Sequence, residues 1–85
     1  MEIKRVTVSD PHGLHMREAV KVAELARKHK SKAYLCHKCK FANACSILEM
    51  VTLEATNGVN IAVIADGPDE KEVIENICKL FVEKI

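Results

Sequence analysis

The sequence predicts an α+β fold in which one sheet is covered by helices on a single face, and three observations lead there. Segments with strand and helix character follow one another as strand, helix, strand, strand, helix, strand, helix, with no repeat, linker or low-complexity stretch between them. Each helical segment carries its apolar residues on one side only, so each needs another layer to cover that side. The strand segments are short, and their second face is left to meet solvent. The 85 residues, 48% apolar and 29% charged, have the balance of a globular chain, and residues 1–85 are expected to form one domain. A chain of this size buries only roughly 60 to 65% of its unfolded surface, so the core is modest and chemistry is expected at the surface.

The elements justify themselves in order. Ile3 to Val8 is rich in β-branched residues and stops at Ser9-Asp10-Pro11, where aspartate favours a turn and proline removes a backbone donor. From Met16 to Lys28, the residues Met16, Ala19, Val20, Ala23 and Ala26 recur at three- and four-residue steps, and Arg27, Lys28 and Lys30 suit the negative end of the helix dipole. Ala33 to Cys36 and Lys40 to Asn43 are two short strands joined by a tight connection at His37 to Cys39, a hairpin without the usual Asn-Gly turn. Ser46 opens a short helix through Ile47, Leu48, Met50, Val51 and Leu53, with Glu49 at capping-box spacing. After Asn57-Gly58, the residues Val59, Ile61, Val63 and Ala65 alternate as one face of a strand that ends at Asp66-Gly67-Pro68. Asp69, Glu70 and Glu72 then begin a last helix whose stripe is Val73, Ile74, Ile77, Leu80 and Phe81.

Composition narrows the function. Thirteen basic and twelve acidic residues give a net charge of +1, without the strong positive field of a nucleic-acid coat or a polybasic membrane anchor. A local basic run, Arg27, Lys28, Lys30, Lys32, Lys38 and Lys40, is a solvated face. One Tyr, two Phe and no Trp leave little surface on which bases could stack, so no nucleic-acid partner is expected. The longest apolar runs are far short of the ~20 residues that cross a bilayer, and no membrane insertion is expected. The first residues lack an apolar signal region, which points to the cytosol. There the four cysteines are expected as thiols or metal ligands rather than structural disulfides.

The most informative stretch is Gly13-Leu14-His15-Met16-Arg17-Glu18-Ala19, in which a histidine stands where a loop becomes the first turn of a helix. Backbone N–H groups at a helix start have no acceptor within the helix, and with the dipole they attract an anion. Arg17 adds a planar cation suited to phosphate. A neutral imidazole is a nucleophile near pH 7, so His15 has beside it the parts for reversible phosphoryl transfer; the alternative is an ordinary capping or surface histidine. His12 and His29 are assigned no role, and a hydrolytic enzyme is disfavoured because no second base, nucleophile partner or metal set stands at interpretable spacing.

These residues carry a resemblance. In length, element order, the Gly13-x-His15-x-Arg17-x-Ala19 segment, Ser46-Ile47 and Asn57-Gly58, the whole chain resembles the HPr family of phosphocarrier proteins of the bacterial sugar phosphotransferase system. The resemblance implies an open-faced β-sandwich, three helices on a four-stranded antiparallel sheet. It implies that His15 takes a phosphoryl group on Nδ1 from enzyme I, charged by phosphoenolpyruvate, and passes it to sugar-specific transport subunits, with Arg17 holding the group. It also implies a docking patch of Met16, Val20, Ile47, Leu48 and Val51, although apolar residues on helix faces are also core candidates. Such a carrier is a monomeric substrate of larger partners rather than a turnover enzyme, and needs no cofactor.

Two departures bear on the site. The family's segment His-Ala-Arg-Pro-Ala is here His15-Met16-Arg17-Glu18-Ala19. A carboxylate ~6 Å from a phosphoryl group costs roughly 0.7 to 3 kcal/mol per pair of unit charges, and Glu18 could also withdraw Arg17, so Glu18→Pro is expected to make His15 a better acceptor. Its structural alternative is helix stabilisation, an acid in the first turn reaching back to the His15 backbone N–H. An alternative for the whole chain is a diverged regulatory or binding module of this fold with a weak or silent His15 and a thiol-dependent metal or redox function at Cys36 and Cys39. By the same resemblance, Ser46 is a candidate for phosphorylation by a dedicated serine kinase that signals to a transcriptional regulator; its alternative is the capping box with Glu49. Cys36-His37-Lys38-Cys39 has the C-x-x-C spacing of half a metal site, which His37, Cys45 or a second molecule could complete. Reduced surface thiols, or a strained disulfide across the turn, are preferred for Cys36 and Cys39, and Cys78 is assigned to the core.

Overall fold

The seven elements of the computed structural model run in the expected order, and the structure describes residues 1–8 and 13–82. They are β1 (Glu2–Thr7), α1 (Met16–Arg27), β2 (Lys32–His37), β3 (Lys40–Asn43), α2 (Ile47–Val51), β4 (Asn60–Asp66) and α3 (Glu70–Val82). The Ser9-Asp10-Pro11 turn and His12 lie outside the described residues. The strands form one sheet in the order β1-β4-β2-β3, and every neighbouring pair is antiparallel. Alternation along the strands places Val6, Ile61, Val63, Ala33, Leu35 and Ala42 on the covered face, in register as Val6↔Ile61, Leu35↔Val63 and Leu35↔Ala42.

The helices cover that face: α3 packs on β1, β4 and β2, α2 on β3, and α1 against both α2 and α3. Leu35, Met50, Ile61, Val63, Val73 and Ile77 are fully buried between the layers. Burying each such side chain stabilises the fold by about 1.5 to 3 kcal/mol before the entropy of ordering the chain is subtracted. Exposed Ile3 and Phe41 lie on the second, open face. Among the described residues, no helix is long and apolar enough to cross a membrane.

The structure corrects three details. The buried face of α1 is Ala19, Val22, Ala23 and Ala26, so Val22 belongs to the stripe while Met16 is exposed and Val20 half-buried. Val22 sits three residues after Ala19 and four before Ala26, at core spacing; Met16 has the same spacing but projects from the first turn, where no other element covers it. The hairpin turn is Lys38-Cys39 alone, both in left-handed conformation with φ of 49° and 66°, which gives the two-residue connection its twist without Asn-Gly. His37 is the last residue of β2, buried on the core side, with Nδ1 3.1 Å from the Leu53 carbonyl oxygen.

Candidate functional site

The loop before His15 is tied down by its own backbone. Gly13 has φ +75°, and a Cβ there would lie 2.5 Å from the Ala55 carbonyl oxygen, so glycine is required both for the angle and for the close approach. The Leu14 amide donates to that oxygen at 2.8 Å, and the Leu14 side chain is buried. His15 follows in extended conformation at the N-cap of α1, and its carbonyl accepts the Ala19 amide at 2.9 Å, starting the helix. Its side chain does not cap the helix and is 38% exposed. A phosphoryl group brought to this ring arrives at the positive end of a helix of 12 residues.

Glu18 converts this surface histidine into a cluster. Its Oε1 lies 3.0 Å from His15 Nε2, and its Oε2 accepts the Nε–H of Arg17 at 3.3 Å. The His15 contact has the distance of an ion pair but not the alignment of a hydrogen bond, and both atoms are closed to solvent. The Glu18 side chain is only 11% exposed and, with Lys21, Val22, Leu80 and Phe81, borders a small crevice between α1 and α3. The carboxylate therefore reaches the His15 ring, where the sequence suggested its backbone N–H. The expected pairing with Arg17 is present, and the Arg17 side chain remains 59% exposed. Local sequence gives no sign of Glu18's burial, since α3 is brought over α1 only by the fold.

Of the expected docking residues, Met16, next to His15 in the chain, and Leu48 on α2 are exposed at 59% and 73%, and Val20, Ile47 and Val51 are half-buried. Ser46 is the N-cap of α2: its hydroxyl accepts the Glu49 amide at 3.3 Å. The reciprocal half of the capping box is replaced. Ser46 N–H donates to the Asn43 carbonyl at 2.9 Å, so the Glu49 carboxylate takes the Asn43 amide at 3.0 Å.

The cysteines do not assemble a site among the described residues. Cys36 and Cys45 are half-buried, Cys39 is exposed at the hairpin turn, and the His37 ring faces inward to Leu53 rather than toward Cys36 and Cys39. Cys78 is buried, and burial pushes its thiol pKa up. Among the described residues, one group of three metal-ligand types comes together, His29, Asp69 and Glu72, with ligand atoms within 4.8 Å of one another. The Asp69 carboxylate there is taken by the amides of Lys30 and Ser31, at 3.1 and 2.9 Å, and by the Ser31 hydroxyl. These bonds hold its pKa below the usual carboxylate value, and they close the α1–β2 connection onto the start of α3.

The family model for the HPr component of the phosphotransferase system, described by its phosphorylation site, matches residues 3–83. The chain belongs to the HPr family. The phosphocarrier protein HPr of Buchnera aphidicola subsp. Acyrthosiphon pisum is 34% identical over 79 residues, 93% of each chain. The phosphocarrier protein NPr of Proteus mirabilis is 35% identical over 81 residues, 94% of this chain and 90% of that one. Among solved structures, HPr-C-His of Thermoanaerobacter tengcongensis superposes with a TM-score of 0.94 at 28% identity, covering 99% of this chain and 94% of that one. HPr of Bacillus anthracis does so with a TM-score of 0.89 at 28% identity, covering 94% and 95%. The open four-stranded antiparallel sheet with three helices is thus the HPr fold. A phosphocarrier role in the phosphotransferase system follows from membership, with proteins of that system, such as enzyme I and sugar transporters, as partners.

Proposed function

We propose that this chain carries a phosphoryl group on His15, accepting it from enzyme I charged by phosphoenolpyruvate and passing it to sugar-transport subunits. The observation that carries this reading is the position of His15 at the N-cap of a long helix, with Arg17 two residues on and the exposed apolar side chain of Met16 next to it in the chain. A nucleophile, a cation and a helix start meet where another protein can reach them. The apolar rim of Met16, Val20, Ile47, Leu48 and Val51 supplies surface that loses water on docking. A second reading, a regulatory module with a silent His15, is favoured by one feature, the hold of Glu18 on both His15 and Arg17.

Incubation with enzyme I and phosphoenolpyruvate separates the two. An acid-labile adduct that disappears in His15→Ala supports the carrier; no adduct, under conditions that charge an ordinary HPr, supports the regulatory module. Phosphorylation of Ser46 is a separate proposal. It would add a dianion at the start of α2, where Glu49 already supplies negative charge, and incubation with the family's serine kinase and ATP followed by intact mass tests it.

A further inference from the structure

Resting on the reading of His15 as the phosphoryl acceptor, we propose that Glu18 selects the ring nitrogen that reacts. Its carboxylate keeps a proton on Nε2 and so places the lone pair on Nδ1. A neutral imidazole has one N–H and one lone pair, and its surroundings decide which nitrogen carries which. Glu18 Oε1 is 3.0 Å from Nε2, and neither atom reaches solvent. With the lone pair on Nε2, two acceptors would face each other with water excluded, each leaving the other unsatisfied. With the proton on Nε2, the same two atoms attract electrostatically across 3.0 Å, although the N–H is not aligned for a hydrogen bond.

The carboxylate is fixed from a second side by Arg17 Nε at 3.3 Å, and the side chain that carries it borders the crevice between α1 and α3. It also blocks approach to Nε2, so the nitrogen that would compete for the phosphoryl group is both protonated and covered. In the transfer step, the Nδ1 lone pair bonds to phosphorus while the bond from phosphorus to the phosphorylated donor protein breaks, its electron pair staying on the donor. The Nε2 proton stays in place, and the ring becomes a cation facing Glu18. Nothing is oxidised or reduced. Glu18 is thus a positioning residue, acting through the histidine it holds, as the third member of a hydrolase triad orients its histidine.

The test is nitrogen NMR of protein labelled with ¹⁵N-histidine, unphosphorylated, at a pH where the ring is neutral. The expected result is a His15 Nε2 signal in the range of a protonated ring nitrogen and an Nδ1 signal in the lone-pair range. In Glu18→Ala the two signals move toward each other as both tautomers populate. Glu18→Gln does the same while keeping the side chain's size, because an amide pairs with either tautomer. Phosphoramidate, a small phosphoryl donor, then gives Nδ1-phosphohistidine alone in the parent protein and a mixture with the Nε2 isomer in Glu18→Ala. A lone pair on Nε2 in the parent, signals unchanged in both variants, or phosphorylation of the parent at Nε2 overturns the proposal. The first two readouts need no phosphorylation, so a protein that enzyme I leaves uncharged still decides the role of Glu18.

Discussion

Replacing Glu18 by glutamine removes one negative charge from the His15 cluster and keeps the side chain's size, so the rate of phosphoryl acceptance, once divided by the fraction of His15 with its lone pair on Nδ1 read from the nitrogen signals, reports the electrostatics. Two opposed terms set the sign. With Nε2 protonated, a phosphorylated His15 carries a dianionic group about 6 Å from the Glu18 carboxylate and a ring cation about 4 Å from it, and at effective dielectrics of about 20 to 80 the repulsion exceeds the attraction by about 0.3 to 1.4 kcal/mol. Glu18 also holds Arg17 Nε at 3.3 Å, and Arg17 is 59% exposed. Releasing an exposed pair of this kind returns about 0.2 to 1 kcal/mol of cation to the phosphoryl group. Together the two effects amount to about 0.5 to 2.4 kcal/mol, or roughly 2- to 60-fold faster acceptance by Glu18→Gln. Rapid-quench measurement of phosphoryl transfer from charged enzyme I reads this directly. A rate that is unchanged or slower after this division refutes the reasoning, because it means that stabilisation of the ring cation outweighs both other terms. Glu18→Pro, which restores the family's residue, is expected to change the rate in the same direction.

Three further outcomes are expected. The Ser31 hydroxyl, with the amides of Lys30 and Ser31, holds Asp69 below the ordinary carboxylate value of 3.8. A depressed folded-state pKa adds stability above the unfolded value and loses it as pH falls through the folded one, so thermal melts of Asp69→Asn should show a weaker dependence on pH on the acid side than the parent. Gly13→Ala places a Cβ 2.5 Å from the Ala55 carbonyl at a φ of +75° and should destabilise the fold by about 1 to 3 kcal/mol in urea titrations, with the His15 signals shifting because its loop is displaced. Leu48→Ala, at a side chain 73% exposed, should leave stability within about 0.5 kcal/mol while weakening enzyme I binding, whereas Met50→Ala, fully buried two residues later, should cost about 2 to 5 kcal/mol.

Much of the fold was legible because its signals are local. The alternation Ile61, Val63, Ala65 in β4 and the stripe Val73, Ile74, Ile77, Phe81 in α3 are written in the spacing of the chain, and each is buried as its period requires. The hairpin turn was found in place although its residues are unusual. Lys38 and Cys39 take the left-handed angles there because strand pairing on both sides, His37↔Lys40 and Cys36↔Phe41, leaves two residues to reverse the chain. Less legible was which apolar residues stay outside. Met16 and Val22 have equally good spacing in α1, and only the reach of the neighbouring elements separates the exposed one from the buried one.

By itself the sequence determined the element order, the sheet-and-helix layering, and the standing of His15 at a helix start, since a residue that caps a helix adjoins the free amides of that helix's own first turn in any fold. It also carried the resemblance to the HPr family that the matched relatives bear out. Only the tertiary structure decided what Glu18 does. As an acid in a first helical turn it is an ordinary surface residue. Packing α3 beside α1 forms a crevice that the Glu18 side chain borders, and Oε1 and the His15 Nε2 it faces are closed to solvent. Burial of that kind depends on residues some sixty positions away in the chain, and it turns a helix-stabilising carboxylate into the partner of the histidine's ring.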